Sequence, residues 1–588
     1  MISKPKRDRN APLKRIYTLD IETDSKGEVI DIGFYDGADV RYFSNWEQFT
    51  HHLSSIDEPS IIYAHNGGGF DYVNYMVWLF RNGIKCSAML KQSSIFCFWL
   101  SSAPHIRFFD TFCLLPMSLD KLTKSFAEIE KLEIDTKHYA DMRRFKKQNR
   151  AKYYDYLSRD CISLYQAVIT MRDLVNEVYN IGNLPMSIGG ISMRLFRKNF
   201  LAPYQIFTPK ASTEKEFAFR GYVGGRVEYL GFAPKDKNGW YNSVNGYDFN
   251  SHYPAQMIAQ EYPVQRGIKT TRLQRDKNGD VATGLYEIEY EQRHGRIPIL
   301  QDEKSKEYAF SGAGVYTHDE INAILRNNGK IKVKCGYHYE HTAPVFDNFV
   351  NFFFSERRKA QELSDGARDL LYKLILNNLY GKYGQRDTVD SLELFSELEA
   401  YETRHRLFDK DKRTMVNEKY RIDDEFAYYE VQDVKPCYTS FPSIAAMITA
   451  RGRMKLCDIL ESCANPIYCD TDSIHCQDAL PKSLIGDELG KLKVEFLDKD
   501  AWYGAKKLYE IRDTKRASKG IPPTALLPEL WEKLQSQGEA VIPYSAPMKL
   551  KTALRSLENS PSEFRKLTRA LTVEKSFYEK SLAMRKEV

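Results

Sequence analysis

Apolar runs of strand length punctuate the first third of the chain. IYTLDI at 16–21, SIIYAH at 60–65, SIFCFWL at 94–100 and HIRFFD at 105–110 alternate with stretches of helical period. That alternation predicts a mixed α/β unit. In the first run Leu19 and Ile21 fall on one face of a strand, and Asp20 and Glu22 share the other. Leu157, Cys161, Leu164 and Val168 make a helical stripe, with Tyr156 and Asp160 one turn apart beside it. Further on, Leu371, Ile375 and Leu379 predict a helix that carries Lys373, Asn377 and Tyr380 on its polar side. The Gly-Pro-rich passage NIGNLPMSIGG at 180–190 predicts a first domain boundary, and RGYVGGRVEYLGFAPKDKNGW at 220–240 a second break. Residues 386–434 are strongly charged and read as a surface hairpin or insertion. The chain from about 514 onward is Lys- and Arg-rich and helical in pattern.

A length of 588 residues is consistent with about three to four domains. Eighty-five basic against 79 acidic residues give a net charge of +6, which permits a polyanionic partner without requiring one. Aromatic residues reach 13%, suited to base stacking and equally to cores. The ten cysteines include no C-x-x-C pair, and Cys457, Cys463, Cys469 and Cys476 are spaced too widely for a standard zinc motif. No apolar run approaches the ~18 residues of a membrane span. The basic start MISKPKRDRNAPLKR lacks the apolar core of a secretory signal and reads as a solvated tail.

Three acidic clusters stand in the first third. Asp20 and Glu22, side by side, repel unless a cation lies between them; alone, they read equally as solvated acids on a strand. In Tyr63-Ala64-His65-Asn66-Gly67-Gly68-Gly69-Phe70-Asp71 a strand enters a triple-glycine loop that could approach a phosphate backbone, or simply turn. Tyr156 and Asp160 alone read as surface residues. Together, four carboxylates and a tyrosine suit two divalent cations and phosphodiester hydrolysis. The order Asp-x-Glu, Asn-x(3)-Phe-Asp, Tyr-x(3)-Asp resembles the proofreading 3′–5′ exonucleases. The resemblance implies that Asp20, Glu22, Asp71 and Asp160 hold metal, that Asn66 and Phe70 touch DNA, and that Ser118-Leu119 is a single-strand contact. Lys137 is a candidate for the lysine expected in the protein-primed branch.

A second acidic set lies downstream. Gly246-Tyr247-Asp248-Phe249-Asn250-Ser251-His252-Tyr253-Pro254 predicts a strand running into a turn. Cys469-Asp470-Thr471-Asp472-Ser473, flanked by strand residues, puts both acids on one strand face or on the crown of a hairpin. Phosphoryl transfer needs such carboxylates to fix Mg²⁺ against a triphosphate. These blocks, with Lys373–Gly384 between them, resemble motifs A, B and C of family B DNA polymerases, and most closely the compact protein-primed enzymes of linear phages and plasmids.

That resemblance implies an α/β multidomain fold, an RNase H-like 3′–5′ exonuclease domain followed by a right-hand polymerase of palm, fingers and thumb with two insertions. The divisions expected are 1–185 exonuclease, 186–260 first part of the palm, and 261–356 an insertion like terminal-protein region 1. Residues 357–385 would be fingers, 386–434 an insertion like region 2, 435–540 the second part of the palm, and 541–588 the thumb. It implies Asp248 and Asp472 as principal metal ligands with Asp470 assisting and the Phe249 carbonyl completing a coordination sphere. Tyr253 resembles the steric gate against a ribose 2′-hydroxyl. Lys373, Asn377, Tyr380 and Arg358 would contact the nucleotide. Tyr222, Gly224 and Gly225 (Tyr-x-Gly-Gly), Thr449 and Arg453 (Thr-x(2)-Gly-Arg), and Lys507 and Tyr509 (Lys-x-Tyr) would contact DNA. His252 and Asn378 depart from the more usual Leu and Ser. The implied cofactor is Mg²⁺ or Mn²⁺, two ions per active site. The implied partners are primer-template DNA, dNTPs and a terminal protein primer, with no membrane and a monomeric enzyme in the host cytoplasm; an organellar setting stays open. Strand displacement and replication of a linear genome follow from the same likeness. A nuclease with a DNA-binding C-terminal region, a non-catalytic binder, and a polymerase using nucleic-acid primers are the competing readings. Both acidic sets are complete, against the first two, and Thr471 between the aspartates speaks against a reverse transcriptase.

Overall fold

A computed structural model describes residues 1–4, 12–91, 94–135, 138, 141–209, 212–386, 388–396, 415–421, 426–434, 437–518, 520–521, 525, 527–546, 549–550 and 565–586. Strand Arg15–Thr23 runs antiparallel to Val29–Tyr35 and parallel to Ser60–Ala64, which is parallel to Ile106–Asp110. Ser60–Ala64 is buried on both faces, as an uninterrupted apolar run in a parallel setting requires. Leu19, Ile21 and Ile62 pack with helices Trp46–Leu53 and Asp71–Arg81 on one side of this sheet. Ile16, Ile61 and Tyr63 pack against Leu164, Ala167 and Val168 of the 30-residue helix Arg150–Tyr179 on the other.

The charged stretch 386–434 joins this same sheet. Thr388–Ser396 pairs antiparallel with Cys86–Lys91 (Leu392 opposite Ala88) and with Phe426–Val434, which pairs in turn with Met415–Arg421. The first sheet therefore has ten strands, three of them supplied from far along the chain. Leu392 of the first of these strands is buried among the core residues of the first sheet, and Tyr429 and Val431 of the strand beside it are buried too.

A second sheet of seven strands runs in the order Lys515–Ser518, Leu508–Ile511, Leu492–Ala505, Tyr241–Phe249, Ser473–Cys476, Pro466–Asp470, Val227–Tyr229. Helix Pro442–Ser462, started by a proline in its first turn, lies behind it. Leu456, Ile459 and Leu460 of that helix pack on Tyr247, Phe249, Cys469 and Ile474. Residues 268–338 add a four-stranded antiparallel sheet and helix His318–Arg326, whose Thr317 and Glu320 form a capping box. Helices Asp347–Glu362 and Gly366–Asn378 pack against each other beside the second sheet.

Two expectations need correction. The strand of motif A does run into a turn, at Asn250 and Ser251 (φ 51°), but Pro254 does not close it: helix His252–Met257 follows, with Pro254 tolerated because first-turn N–H groups have no helical partner. The last segment is not all helical. Pro528–Gln537 and Phe577–Lys586 are helices, but Glu539–Ala546 and Arg565–Thr572 form an antiparallel pair. Ala540 and Ile542 are buried while Val541 is 60% exposed, a period of two that its basic neighbours obscured. Among the described residues no helix is long and apolar enough to cross a membrane.

Candidate active sites

The first site is built where strand Arg15–Thr23 meets helix Arg150–Tyr179. The Thr18 hydroxyl donates to the Cys161 carbonyl at 2.7 Å, which fixes the helix over the face that carries Asp20 and Glu22. Asp160 is buried there, and Asp71, at the start of its helix, accepts a hydrogen bond from Ile21 N at 3.2 Å. Burial pushes Asp20 well above the ordinary carboxylate range, and its neighbours Asp160, Asp71 and Glu22 push it further. Glu22 is raised to about 8 and Asp71 to about 7, each chiefly by burial. Asp160 is raised by burial too, opposed by Lys131 and by a hydrogen bond from Tyr156. Four carboxylates forced this close form an all-oxygen donor set of the kind hard divalent cations take.

Lys131 was absent from the sequence reading. Its Nζ lies 2.8 Å from Asp160 Oδ2 and 5.1 Å from the centroid of the Tyr156 ring. The lysine candidate Lys137 lies outside the described residues. Only the fold separates one lysine from another here, since Lys131 sits in an irregular segment 29 positions before its partner.

The glycine loop has a reason in packing. A Cβ on Gly68 would stand 2.1 Å from the Ile95 carbonyl oxygen, and its N–H donates to Asp110 at 3.1 Å. Close packing on the neighbouring strand demands glycine at this position. Asn66 is exposed and Phe70 half-buried at this loop. Ser118 is instead the N-cap of helix Leu119–Phe126, accepting from Lys121 N, and Leu119 packs on a core. Phe112 is 41% exposed with its ring 6.0 Å from that of His65, and so offers an open aromatic face beside the glycine loop.

The second site is a cleft of about 700 Å³ at the end of the seven-stranded sheet. Asp248 faces Ser473 and Lys493 across two strand pairs, and Phe249 N donates to the Asp472 carbonyl at 2.8 Å. The acids therefore crown a hairpin, Asp470 opposite Ser473, with Thr471 in the left-handed region at φ 62°. Asp248, Phe249, Tyr253, Lys373, Asn377, Tyr380 and Asp472 all line the cleft. The Tyr253 and Tyr380 rings pack at 4.6 Å. Asp248 is raised to about 7 by burial, then by Asp472 and Glu495; Asp472 is raised mainly by burial. Glu495 and Lys493, both cleft residues, were missed because nothing in the sequence ties them to the motifs.

Other residues expected at the site have partners of their own in the fold. Arg358 is exposed, whereas Arg357 lines the cleft, held by Asp369 at 2.7 Å: one helical position is a 100° turn. Asp470 pairs with Lys507 at 2.8 Å and does not line the cleft. Tyr509 is buried against Tyr468 and Tyr503. Thr449 is buried, its hydroxyl donating to the Ala445 carbonyl within its own helix. Arg453 is buried too, paired with Glu320 at 2.6 Å and donating to the Gly224 carbonyl at 3.0 Å. It fastens the Tyr-x-Gly-Gly loop rather than facing an open groove. In that loop Tyr222 is half-buried against Gly384, Gly224 borders open space and Gly225 packs on Thr471. His252 explains its own departure: stacked on Phe249 at 4.2 Å and bonded to the Gly452 carbonyl at 3.1 Å, it is pushed down to about 4 by burial and is a neutral core residue. Asn378 lines the cleft and donates to the Leu374 carbonyl at 2.8 Å.

The fold thus holds two separate acidic centres, one buried beside a long helix and one in an open cleft flanked by cations. A model of type B DNA polymerases, organellar and viral, matches residues 53–150 and 130–487. The DNA-directed DNA polymerase of Enterobacteria phage PRD1 is 28% identical over 546 residues, covering 88% of this chain and 87% of that protein. The DNA polymerase of Bacillus phage phi29 is 23% identical over 504 residues, 79% of each. A probable DNA polymerase of Ascobolus immersus is 23% identical over 86% of this chain, which spans 46% of that longer protein. The fold matches phi29 DNA polymerase complexed with primer-template DNA and incoming nucleotide substrates with a TM-score of 0.71 at 18% identity, over 96% of this chain and 100% of that one. The chain belongs to the organellar and viral type B DNA polymerases. Its fold is the multidomain α/β arrangement of that family, and its reaction is DNA-directed DNA synthesis.

Proposed function

We propose that the two centres divide the work, the cleft around Asp248 and Asp472 adding nucleotides and the enclosed cluster of Asp20, Glu22, Asp71 and Asp160 removing them from a 3′ end. The observation that carries this is the separation itself: each acidic set is complete and each rests on a different sheet. In the cleft Lys373 and Arg357 offset triphosphate charge, Tyr380 packs beneath the nascent pair, and Tyr253 fills the space a 2′-hydroxyl would need. In the cluster Lys131 holds Asp160 and Tyr156 in place. Asp248, Asp472 and the Phe249 carbonyl would hold Mg²⁺ in one site and the four carboxylates in the other, two ions each. When bound, such ions neutralise the reacting phosphate and acidify water. Asp470 acts at one remove, by positioning Lys507 at the primer end.

Initiation belongs to the same proposal: the chain starts on a hydroxyl of a terminal protein, with residues 261–356 as the docking region and 386–434 clasping the duplex during strand displacement. The likeness of its motifs to protein-primed enzymes supports this. The test is incubation with labelled dNTP, template and a candidate terminal protein, small and basic. Nucleotide attached covalently to that protein supports protein priming; initiation on DNA or RNA primers alone refutes it and leaves a polymerase of the nucleic-acid-primed kind.

A further inference from the structure

We propose that Cys463, Cys476 and Asp478 form a binding site for a thiophilic divalent cation, zinc foremost, on the side of the hairpin away from the Asp248–Asp472 cleft. The two Sγ atoms and a carboxylate oxygen of Asp478 lie within 4.8 Å of one another. A tetrahedral cation with bonds of about 2.3 Å to sulfur and about 2.0 Å to oxygen spans that separation. In sequence the cysteines are too far apart for a zinc motif. The fold joins them because Cys463 caps helix Pro442–Ser462 while Cys476 ends strand Ser473–Cys476, opposite Pro466.

The surroundings resemble a prepared shell. Both thiols are buried, while Asp478 is only partly so and puts the cluster at the edge of the core. Asn465 N donates to Asp478 Oδ2 at 2.7 Å, which orients the carboxylate. The Tyr247 hydroxyl donates to the Asp478 carbonyl at 3.4 Å, and the Arg296 guanidinium donates to the Cys463 carbonyl. The thiols have only weak alternatives: Cys463 Sγ reaches the Ile459 carbonyl at 3.2 Å and Cys476 Sγ the Asp478 carbonyl at 3.4 Å. The Cys476 thiol is raised, first by its hydrogen bond with Cys463 and then by burial. The step balances as one divalent cation taken up and two protons released as two sulfur–metal bonds form. Soft sulfur donors exclude Mg²⁺ and separate this site from both acidic centres. Occupied, it would staple the end of the long helix to the strand four residues beyond Asp472.

The test uses the full chain, stripped with a thiophilic chelator and titrated with Cd²⁺ alone while Mg²⁺ is kept in excess. The expected result is about one Cd²⁺ per chain with sulfur-to-metal charge-transfer absorbance, displaced by Zn²⁺, and a melting midpoint at least about 2 °C higher with Zn²⁺. Asp478→Asn keeps both thiols and the acceptor for Asn465 N, and should weaken binding at least about tenfold. Cys463→Ser with Cys476→Ser should abolish the absorbance. If that double variant fails to fold, Asp478→Asn alone decides. Absorbance that persists without the two cysteines, wild-type affinity in Asp478→Asn, or loss of both free thiols to a disulfide without metal overturns the proposal.

Discussion

The enclosed acidic cluster and the open cleft solve the same electrostatic problem differently. In the cluster, carboxylates outnumber the cation that faces them, and burial raises all four. In the cleft, Asp248 and Asp472 share their space with Lys373, Lys493 and Arg357. On the division of work proposed above, the cluster would hold a small set of ions against a frayed single strand. The cleft has to admit a triphosphate that brings its own four or so negative charges, and its walls supply the opposing sign. The difference teaches that, if the centres divide the work as proposed, the number of carboxylates does not separate cleavage from synthesis and the cations beside them do.

The sharpest way to break that comparison is to remove one set at a time. Asp248→Ala or Asp472→Ala should cut extension roughly a thousandfold, about 4 kcal/mol of transition-state stabilisation, and leave 3′–5′ degradation intact. Asp20→Ala with Asp71→Ala should do the reverse. Primer-extension and exonuclease assays on each decide it, and one variant that loses both activities while folded would defeat the two-site reading.

Lys131→Ala should lower degradation about ten- to a hundredfold with extension unchanged, measured on the same substrates. Within the cleft, Arg357→Ala should raise the KM for dNTP about tenfold while Arg358→Ala changes it little; the opposite ranking would restore the exposed arginine.

Acidity sharpens the contrast further. Carboxyls raised in the fold bind protons that the unfolded chain releases, so their contribution to stability is full below the ordinary carboxylate range and is lost as pH rises through the raised values. Without divalent cation the melting midpoint should therefore fall from pH 5 to pH 8, through the range of Asp71 and Asp248 near 7 and Glu22 near 8. Mg²⁺ should restore it by a few degrees, more at pH 8 than at pH 6, and Asp20→Ala with Asp71→Ala should lose more of that rescue than Asp248→Ala. Replacing 386–434 with a Gly-Ser linker should spare single-nucleotide insertion and shorten strand-displacement products. Because that segment pairs with Cys86–Lys91, it should also lower the melting midpoint, which an undocked charged insertion would not do.

The motifs were legible because each is local. Asp20 and Glu22 share a strand face by a period of two, Lys373 and Asn377 a helix face by a period near four, and Asp470 and Asp472 a hairpin crown by a turn two residues long. These follow from backbone geometry within a few residues, so the chain alone carried the class of enzyme and most of its carboxylates. Where two neighbouring positions compete, local pattern fails: Arg357 and Arg358 differ only in which side of a helix meets the cleft. Arg453, Tyr509 and Thr449 show the same limit, since their motifs say nothing about the Glu320, Tyr503 or Ala445 that they meet in the fold. Lys131 against Asp160, Leu392 in the first sheet, and Cys463 beside Cys476 are contacts between segments distant in sequence or set by irregular loops. Burial, ion pairing and packing decide those, and they exist only once the sheets have closed.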